Sequence, residues 1–99
     1  MDLEQLRALA AVVDQETFEA AADELRITPS AVSQRIKALE RSVGSVLVRR
    51  LKPVVPTPAG ERLLRSARQL LLLADEALLA LRFEQGHDAG GPGSAGTGT

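Results

Sequence analysis

A helix start near the middle of the chain constrains the fold more than any other feature of the sequence. Thr28 offers a side-chain oxygen that can cap the first turn of a helix, and Pro29 suits the first helical position, where no backbone donor is lost. Gly44 is typical of the residue just after a helix end, so we expect this helix to run to about Ser42. Its apolar residues recur at helical spacing as Val32, Ile36, Leu39 and Val43. The sequence therefore predicts an amphipathic helix with one side toward a core.

Two shorter helices are predicted before it. The first runs from Leu3 to Asp14, and the second starts after Thr17, which can cap it, and ends near Leu25. The buried sides are predicted to consist of Leu3, Leu6, Ala10 and Val13 in the first helix and of Phe18, Ala21, Ala22 and Leu25 in the second. Only residues 26–27 separate the second helix from the next capping residue. Two helices joined so tightly are typical of a helix-turn-helix.

The segment after Gly44 is rich in β-branched residues and prolines. Its sequence V-L-V-R-R-L-K-P-V-V-P, residues 46–56, predicts two short extended strands with a turn near Lys52-Pro53, since proline limits regular strand pairing. Thr57-Pro58 then repeats the cap-plus-proline pattern. It predicts a last helix that continues to about Phe83.

This last helix is too long to bury its apolar stripe within so small a domain. It would span roughly 40 Å at 1.5 Å per residue. A partner helix from a second copy of the chain would cover the stripe, so we expect a homodimer. The residues predicted to form the dimer contact are Leu63, Ala67, Leu70, Leu71, Ala74, Leu78 and Leu81. The alternative is that these residues pack back onto the first helix of the same chain.

Composition favours packed helices and argues against several classes of site. Only Phe18 and Phe83 are aromatic, so the core must be aliphatic, which favours helices over a sheet. Cysteine is absent and His87 is the single histidine, so we expect no enzyme active site, no metal and no cofactor. The first residues are acidic, unlike a signal peptide, and Asp75 and Glu76 interrupt the most apolar stretch. We therefore expect a cytoplasmic protein that does not enter membranes.

Charge is segregated along the chain. The net charge is −1, yet residues 1–25 hold seven acidic residues and one basic residue, whereas residues 26–68 hold ten basic residues and two acidic ones. Local charge rather than the total decides attraction to phosphates. The middle of the chain is therefore suited to bind nucleic acid.

The solvent side of the helix that begins at Pro29 is entirely polar or basic. We call it the recognition face, and it consists of Ser30, Ser33, Gln34, Lys37 and Arg41. Serine and glutamine hydrogen-bond base edges in the major groove, while lysine and arginine reach phosphates. Taken alone, such a face is also typical of an ordinary solvated helix. The tightly connected preceding helix and the charge segregation favour contact with double-stranded DNA.

The candidate DNA-binding residues fall into two groups. Residues near the start of such a helix usually touch bases, which assigns base reading to Pro29, Ser30, Ser33 and Gln34. Contacts to the DNA backbone are predicted from the helix and from the wing, residues 46–56, by Thr28, Arg35, Lys37, Arg41, Arg50 and Lys52. The alternative for the wing cations is a charged edge that prevents aggregation of strands.

The residues around this helix resemble a known family. The run A-A-D-E-L-R-I-T-P-S-A-V-S-Q-R-I-K-A-L-E-R-S-V-G, residues 21–44, is similar to the helix-turn-helix of the LysR-type transcriptional regulators. The similarity continues through V-L-V-R-R and P-T-P-A-G-E-R-L-L and covers about residues 3–82. Within the family, I-T-P-S-A-V-S-Q-R-I-K-A-L-E and the short wing that ends in Pro-Thr most resemble the subgroup that controls arginine and lysine export.

The resemblance implies a domain organisation. It implies a winged helix-turn-helix DNA-binding domain over residues 1–56 and a linker helix over residues 57–83, through which family members dimerise. Members carry an effector-binding domain after the linker helix, whereas here only residues 84–99 follow. This stretch is rich in glycine, and we expect it to be a disordered tail. No site for a small-molecule effector is therefore expected in this chain.

The resemblance also bears on the site residues. It places the base readers at the start of the recognition helix, and it matches Arg50 to a characteristic wing arginine and Lys37 to a commonly basic position. Many members have Gln-Pro where this sequence has Pro29-Ser30, and arginine in place of Gln34. The base preference of the family at large therefore does not carry over.

Together these observations predict a mainly α, winged helix-turn-helix protein with a long C-terminal linker helix. We expect it to bind double-stranded DNA sequence-specifically as a dimer and to catalyse no reaction. The rival hypothesis is a coiled-coil adaptor that dimerises through the last helix and does not read DNA. The polar recognition face argues against that rival, because a protein-binding face would expose apolar anchors.

Overall fold

A computed structural model describes the backbone of residues 1–90 and the side chains of residues 1–84. Four helices and a two-stranded antiparallel sheet follow one another along the chain as α1 (Leu3–Gln15), α2 (Phe18–Leu25), α3 (Pro29–Val43), β1 (Val48–Arg49), β2 (Val55–Pro56) and α4 (Pro58–Gly90). The mainly helical architecture with a small wing confirms the predicted fold class.

Side-chain caps define where the first three helices begin. Asp2 forms a capping box with Gln5 at the start of α1. Thr17 Oγ1 accepts from the Ala20 amide at 3.0 Å, and Thr28 Oγ1 accepts from the Ala31 amide at 3.1 Å. The predicted threonine caps of α2 and α3 are confirmed, because each satisfies an amide that the first helical turn leaves without a backbone partner.

The same three helices end in left-handed backbone conformations. Glu16, Arg26 and Gly44 each have a positive φ and follow the last helical residue of α1, α2 and α3. At the α2–α3 turn, the amide of Ile27 donates to Ala22 O at 3.1 Å. The chain therefore reverses direction within two residues, as the tight connection predicted, and α3 crosses α2 closely.

The core lies where α1 meets the other three helices. Its largest fully buried side chains are Leu9, Val12, Val32, Ile36, Leu39 and Leu47. The stripe predicted for α3 is confirmed at its first three positions, but Val43, the last residue of the helix, is exposed. For α2, Ala21 and Ala22 are buried, while Phe18 and Leu25 are half-buried against the core.

The stripe predicted for α1 was wrong in part. Leu6 is buried, but Leu3 is 42% exposed, and Ala10 and Val13 are only half-buried. The buried residues that the stripe omitted are Ala8, Leu9, Ala11 and Val12. The reason is that α2, α3 and α4 all pack on α1, so its buried surface is wider than the single stripe of a helix at the edge of a domain.

The wing is a short hairpin held to the body of the protein at both ends. Val48 pairs with Pro56 and Arg49 with Val55, and the Lys52–Pro53 bond in the connection is cis. Leu47, Val48 and Val54 are buried. The hairpin therefore packs these three apolar residues on the core, whereas Val46, Leu51 and Val55 are exposed together with its charged residues.

The junction between the wing and α4 is tightly hydrogen-bonded. The amide of Thr57 donates to Leu47 O at 3.0 Å, and the Thr57 hydroxyl donates to Val46 O at 2.6 Å. The amide of Leu47 donates to Glu40 Oε2 at 2.8 Å. Gly60 lies so close that a β-carbon there would overlap the Leu47 carbonyl oxygen. These contacts tie the start of α4 to the wing and to the end of α3.

The first turns of α4 pack on the body of the protein. Leu64, Ala67 and Leu71 are buried there. The expectation that Ala67 and Leu71 are exposed to a partner chain was therefore wrong. They lie on the side of α4 that faces the same chain, which is the alternative named above for these residues.

Two ion pairs join the exposed edges of α1 and α4. Arg68 forms a bidentate pair with Asp14, at 2.7 and 3.1 Å, and this hydrogen bonding raises the pKa of the Arg68 guanidinium. Arg7 lies 2.9 Å from Asp75. Exposed pairs stabilise a fold only modestly. These two lie on the α1–α4 contact, and they favour the observed orientation of α4 relative to α1.

The end of α4 differs from the prediction. The helix continues to Gly90 rather than ending at Phe83, so residues 84–90 of the expected tail are helical. The physical reason is that a glycine costs a helix interior only about 1 kcal/mol relative to alanine, so Gly86 does not by itself end the helix. The rest of the expected tail, residues 91–99, lies outside the described residues. Within the described part of the chain, no helix is long and apolar enough to cross a membrane.

Candidate nucleic-acid interface

The recognition face lies on the outside of the molecule, along α3. Four of its five side chains are exposed, namely Ser30, Gln34, Lys37 and Arg41, and Ser33 is half-buried. The opposite side of α3 carries the fully buried Val32, Ile36 and Leu39. The core thus holds α3 rigidly by one side and presents the other to a ligand.

The start of α3 is also open to solvent. Thr28, Pro29 and Ser30 are all exposed. Because the Thr28 side chain caps the helix, its hydroxyl already accepts the Ala31 amide. The exposure of these three residues leaves the first turn of α3 accessible, as a helix end that enters a groove must be.

Arg50 links the wing to the recognition face. Its Nη1 donates a hydrogen bond of 2.9 Å to Ser33 Oγ, and its guanidinium carbon lies 4.9 Å from the centre of the Phe18 ring. This distance and placement are those of a cation–π contact. The structure thus brings together a predicted base reader and a predicted backbone-contacting residue, which are 17 positions apart in the sequence.

Arg50, Ser33 and Phe18 form one cluster, and only Phe18 was not predicted from the sequence to belong to the site. It was predicted only as a core residue, and it does pack partly on the core. Its ring also serves as the platform for Arg50. The available signal was its rarity, since only two aromatic residues occur in the chain.

The tip of the wing is exposed and charged. Lys52, which the sequence predicts to contact the DNA backbone, is exposed. It lines, together with Arg50 and Phe18, a cavity of about 130 Å³ between the wing and the start of α2. Glu16 and Glu19 line the same cavity. Carboxylates therefore border the wing cations on the side of α2.

Arg35 points away from the recognition face. Its Nη1 lies 3.2 Å from Glu4 Oε1 on α1, and its side chain is half-buried. Gln34 and Arg35 border a shallow depression whose other wall includes Asp2 and Glu4. The contact of Arg35 with a phosphate stays a prediction. Its charge is already paired with Glu4 of the same chain.

The residues predicted for the dimer contact divide by their exposure. Leu70, Leu78 and Leu81 are exposed, whereas Leu63 and Ala74 are half-buried. Additional large apolar side chains are exposed on α4 at Leu72, Leu73, Leu79 and Phe83. At 3.6 residues per turn, Leu79 lies about 180° around the helix from Leu70. The exposed apolar surface of α4 is therefore wider than the predicted stripe.

Among the residues whose side chains are described, no cluster of three or more His, Cys, Asp or Glu side chains is placed to hold a metal ion.

Three known proteins show how closely this chain is related to characterised regulators. It is 60% identical, over 78 residues, to the HTH-type transcriptional regulator LysG of Mycobacterium tuberculosis. These 78 residues cover 79% of this chain and 26% of that protein. It superposes on full-length LysG from Corynebacterium glutamicum with bound effector Arg at a TM-score of 0.77 and 46% identity, covering 85% of this chain and 29% of that one. It superposes on BenM_DBD in complex with benA site 1 DNA at a TM-score of 0.76 and 35% identity, covering 83% of this chain and 96% of that one.

The chain thus spans about a quarter of the length of the curated relatives that it matches. A family model described as the bacterial regulatory helix-turn-helix protein, lysR family, matches residues 3–61, which include α1 to α3 and the wing. This match and the 60% identity to LysG agree with the resemblance found in residues 21–44. The chain therefore belongs to the lysR family of bacterial transcription regulators and carries the winged helix-turn-helix of that family's DNA-binding domain.

Proposed function

We propose that this chain binds double-stranded DNA sequence-specifically, as the DNA-binding part of a bacterial transcription regulator. The observation that carries the proposal is the position of the recognition face. Its polar and basic side chains project from a helix whose other side is anchored in the core. An α-helix fits the major groove of B-DNA, where each base pair presents a distinct pattern of donors and acceptors.

The recognition helix and the wing divide the contacts between them. Pro29, Ser30, Ser33 and Gln34 occupy the first half of α3 and meet base edges. Backbone phosphates are met by Thr28, Lys37, Arg41, Arg50 and Lys52, with Arg35 as a further candidate whose pair with Glu4 must open first. Such contacts position the protein, whereas the base contacts supply sequence preference.

A dimer through α4 would present two recognition helices to two half-sites. Leu70, Leu78 and Leu81 lie exposed along α4, and Leu78 and Leu81 come after Asp75, which pairs with Arg7 of α1. Leucine pairs of this kind gain stability when a partner helix removes them from water. On this proposal residues 1–56 form the DNA-binding unit, and the helix that follows forms the dimer contact.

The regulated process is proposed from the relatives. One relative, at 51% identity, is named the lysine export transcriptional regulatory protein LysG of Corynebacterium glutamicum. We propose that the protein to which this chain corresponds acts in the cytoplasm on genes for basic amino acid export. The chain itself, which corresponds to about a quarter of such relatives, supplies the DNA-binding function.

Selection from a pool of random duplexes tests the proposal. The chain is expected to enrich a two-fold symmetric motif, and a recognition-face variant, Ser30→Ala/Gln34→Ala, is expected to enrich a different or weaker motif. A chain that enriches no motif and retains no duplex would support the rival coiled-coil adaptor. Retention of duplexes without enrichment would limit the function to non-specific binding.

A further inference from the structure

Phe18 lies at the start of α2, where it contacts a side chain of the proposed DNA interface. Thr17 caps α2, so the first residue of the helix, Phe18, is held in a fixed backbone position. Its half-buried ring packs partly on the core. The exposed guanidinium of Arg50 stacks over the ring, with 4.9 Å between the guanidinium carbon and the ring centre.

We infer that Phe18 is a positioning residue for DNA recognition, which acts by holding the wing arginine Arg50 against Ser33. This inference rests on the proposed function. Arginine has many rotamers, and a side chain that is already ordered before binding loses less entropy on contact with a ligand. The ring of Phe18 restrains one side of the guanidinium, and the hydroxyl of Ser33 accepts one of its N–H groups at 2.9 Å.

The arrangement leaves donors available for DNA. Guanidinium carries five N–H donors, and the contact with Ser33 uses one of them. The remaining donors can meet a phosphate while the ring stays below the plane, because a cation–π contact engages the flat side of the group and not its edge.

The arrangement also sets the role of Ser33. A serine hydroxyl has one donor and two acceptor positions. Because Arg50 donates into the Ser33 oxygen, the hydroxyl hydrogen is free to point elsewhere and to donate to an acceptor on a base edge, such as guanine O6 or N7. Phe18 thereby influences base reading without touching DNA.

A double-mutant cycle on DNA binding tests this inference. The affinity of the chain for a mixed-sequence 24-base-pair duplex and for a duplex selected from the random pool is measured for wild type, Phe18→Leu, Arg50→Ala and the double variant. Leucine retains an apolar side chain but removes the ring. Phe18→Leu is expected to weaken binding about two- to tenfold, because Arg50 would then be ordered only on binding, at about 0.5–1.5 kcal/mol for one such side chain. In the Arg50→Ala background the same change is expected to have no further effect.

Two further variants distinguish a role of Phe18 in positioning Arg50 from a role in folding. Phe18→Tyr retains the ring and is expected to bind DNA like wild type, and Arg50→Lys, which keeps the charge but not the flat guanidinium, is expected to lose as much affinity as Phe18→Leu. The free protein supplies a further readout, since the ring should shift the Arg50 δ-proton NMR signals upfield, and Phe18→Leu should abolish this shift.

The outcomes distinguish this inference from the proposed function. Equal losses for Phe18→Leu with and without Arg50 would show a general structural role and overturn the inference. An absent ring-current shift in the folded wild type would overturn it as well. If wild type binds neither duplex, the proposed function itself fails, and the inference fails with it.

Discussion

Arg50 in the wing donates a 2.9 Å hydrogen bond to Ser33 on the recognition helix. The two residues belong to elements that are separated by a helix end and a strand, so their contact fixes where the wing lies relative to α3. A DNA duplex that meets the recognition helix would therefore meet the wing at a set distance. This relation is the basis for expecting the helix and the wing to act as one interface.

Gln34 provides the most direct test of base reading. It is exposed on α3, one turn into the helix, so Gln34→Ala should leave folding intact and relax base preference. Removal of a good base contact takes away about 1–3 kcal/mol of discrimination against the wrong base. The measurement is the ratio of affinities for a selected duplex and for single-base variants of it. Gln69→Ala, which removes another exposed glutamine, on α4, is the matched control and should change nothing. Discrimination that survives Gln34→Ala would remove Gln34 from the base readers.

Lys37 should behave as a phosphate contact. Lys37→Ala is expected to weaken binding to all duplexes alike, because phosphates carry no sequence information. The slope of log affinity against log salt should become shallower by about one unit, because the variant neutralises one phosphate fewer. Titrations at four salt concentrations measure the slope, and Arg82→Ala on α4 serves as the control of equal charge. An unchanged slope for Lys37→Ala would exclude this role for Lys37.

The dimer contact is tested on the exposed leucines only. Leu71 is buried within the chain and is unsuitable, because its replacement would damage the core. The double change Leu78→Asp/Leu81→Asp places charges in the predicted seam, where burial of unpaired charges is strongly unfavourable. Analytical ultracentrifugation should show a dimeric wild type and a monomeric variant.

A control on the other side of the same helix locates the seam. Leu72→Asp/Leu79→Asp adds the same charge at positions that are also exposed, of which Leu79 lies about 180° away from Leu70. This variant is expected to remain dimeric. If it dissociates while Leu78→Asp/Leu81→Asp stays dimeric, the seam lies on that side and the predicted stripe is wrong. A wild type that is monomeric at tens of micromolar contradicts the dimer altogether.

Two glycines should respond differently to alanine. Gly44 has φ +76° and open space around it, so Gly44→Ala should destabilise the fold by about 1–2 kcal/mol through backbone strain alone. Gly60→Ala should destabilise it more, because the added methyl group overlaps the Leu47 carbonyl oxygen and separates α4 from the wing. Urea unfolding measures both. A smaller destabilisation at Gly60 than at Gly44 would contradict the close packing of α4 on the wing.

Local signals predicted the helix starts well. Thr17 and Thr28 act as caps, and Gly44 follows the end of α3, because caps depend on residues within one turn of each other. The recognition face was likewise predictable, since the periodicity of α3 separates its two sides. Such features need no knowledge of how the helices pack.

Features that depend on packing between distant segments were not predictable. Ala67 and Leu71 follow the same helical period as Leu70 and Leu78, so the pattern alone did not separate the side of α4 that meets α1 from the side that faces solvent. The Arg50–Phe18 contact joins residues far apart in the chain and needs the wing to fold back on α2. For the same reason, the pairing of Arg35 with Glu4 could not be inferred from α3 itself.

Binding to duplex DNA is the central claim, and fluorescence anisotropy tests it most directly. A labelled mixed-sequence duplex and its single strand are each titrated with the chain at two salt concentrations. We predict binding to the duplex with a dissociation constant in the micromolar range or tighter, as expected for non-specific contacts, and a steep loss of affinity at higher salt. We also predict weaker binding to the single strand, because the recognition face and wing offer no exposed aromatic platform on which unpaired bases could stack. A chain that is folded and dimeric, yet leaves the anisotropy of the duplex unchanged at low salt, would contradict the account.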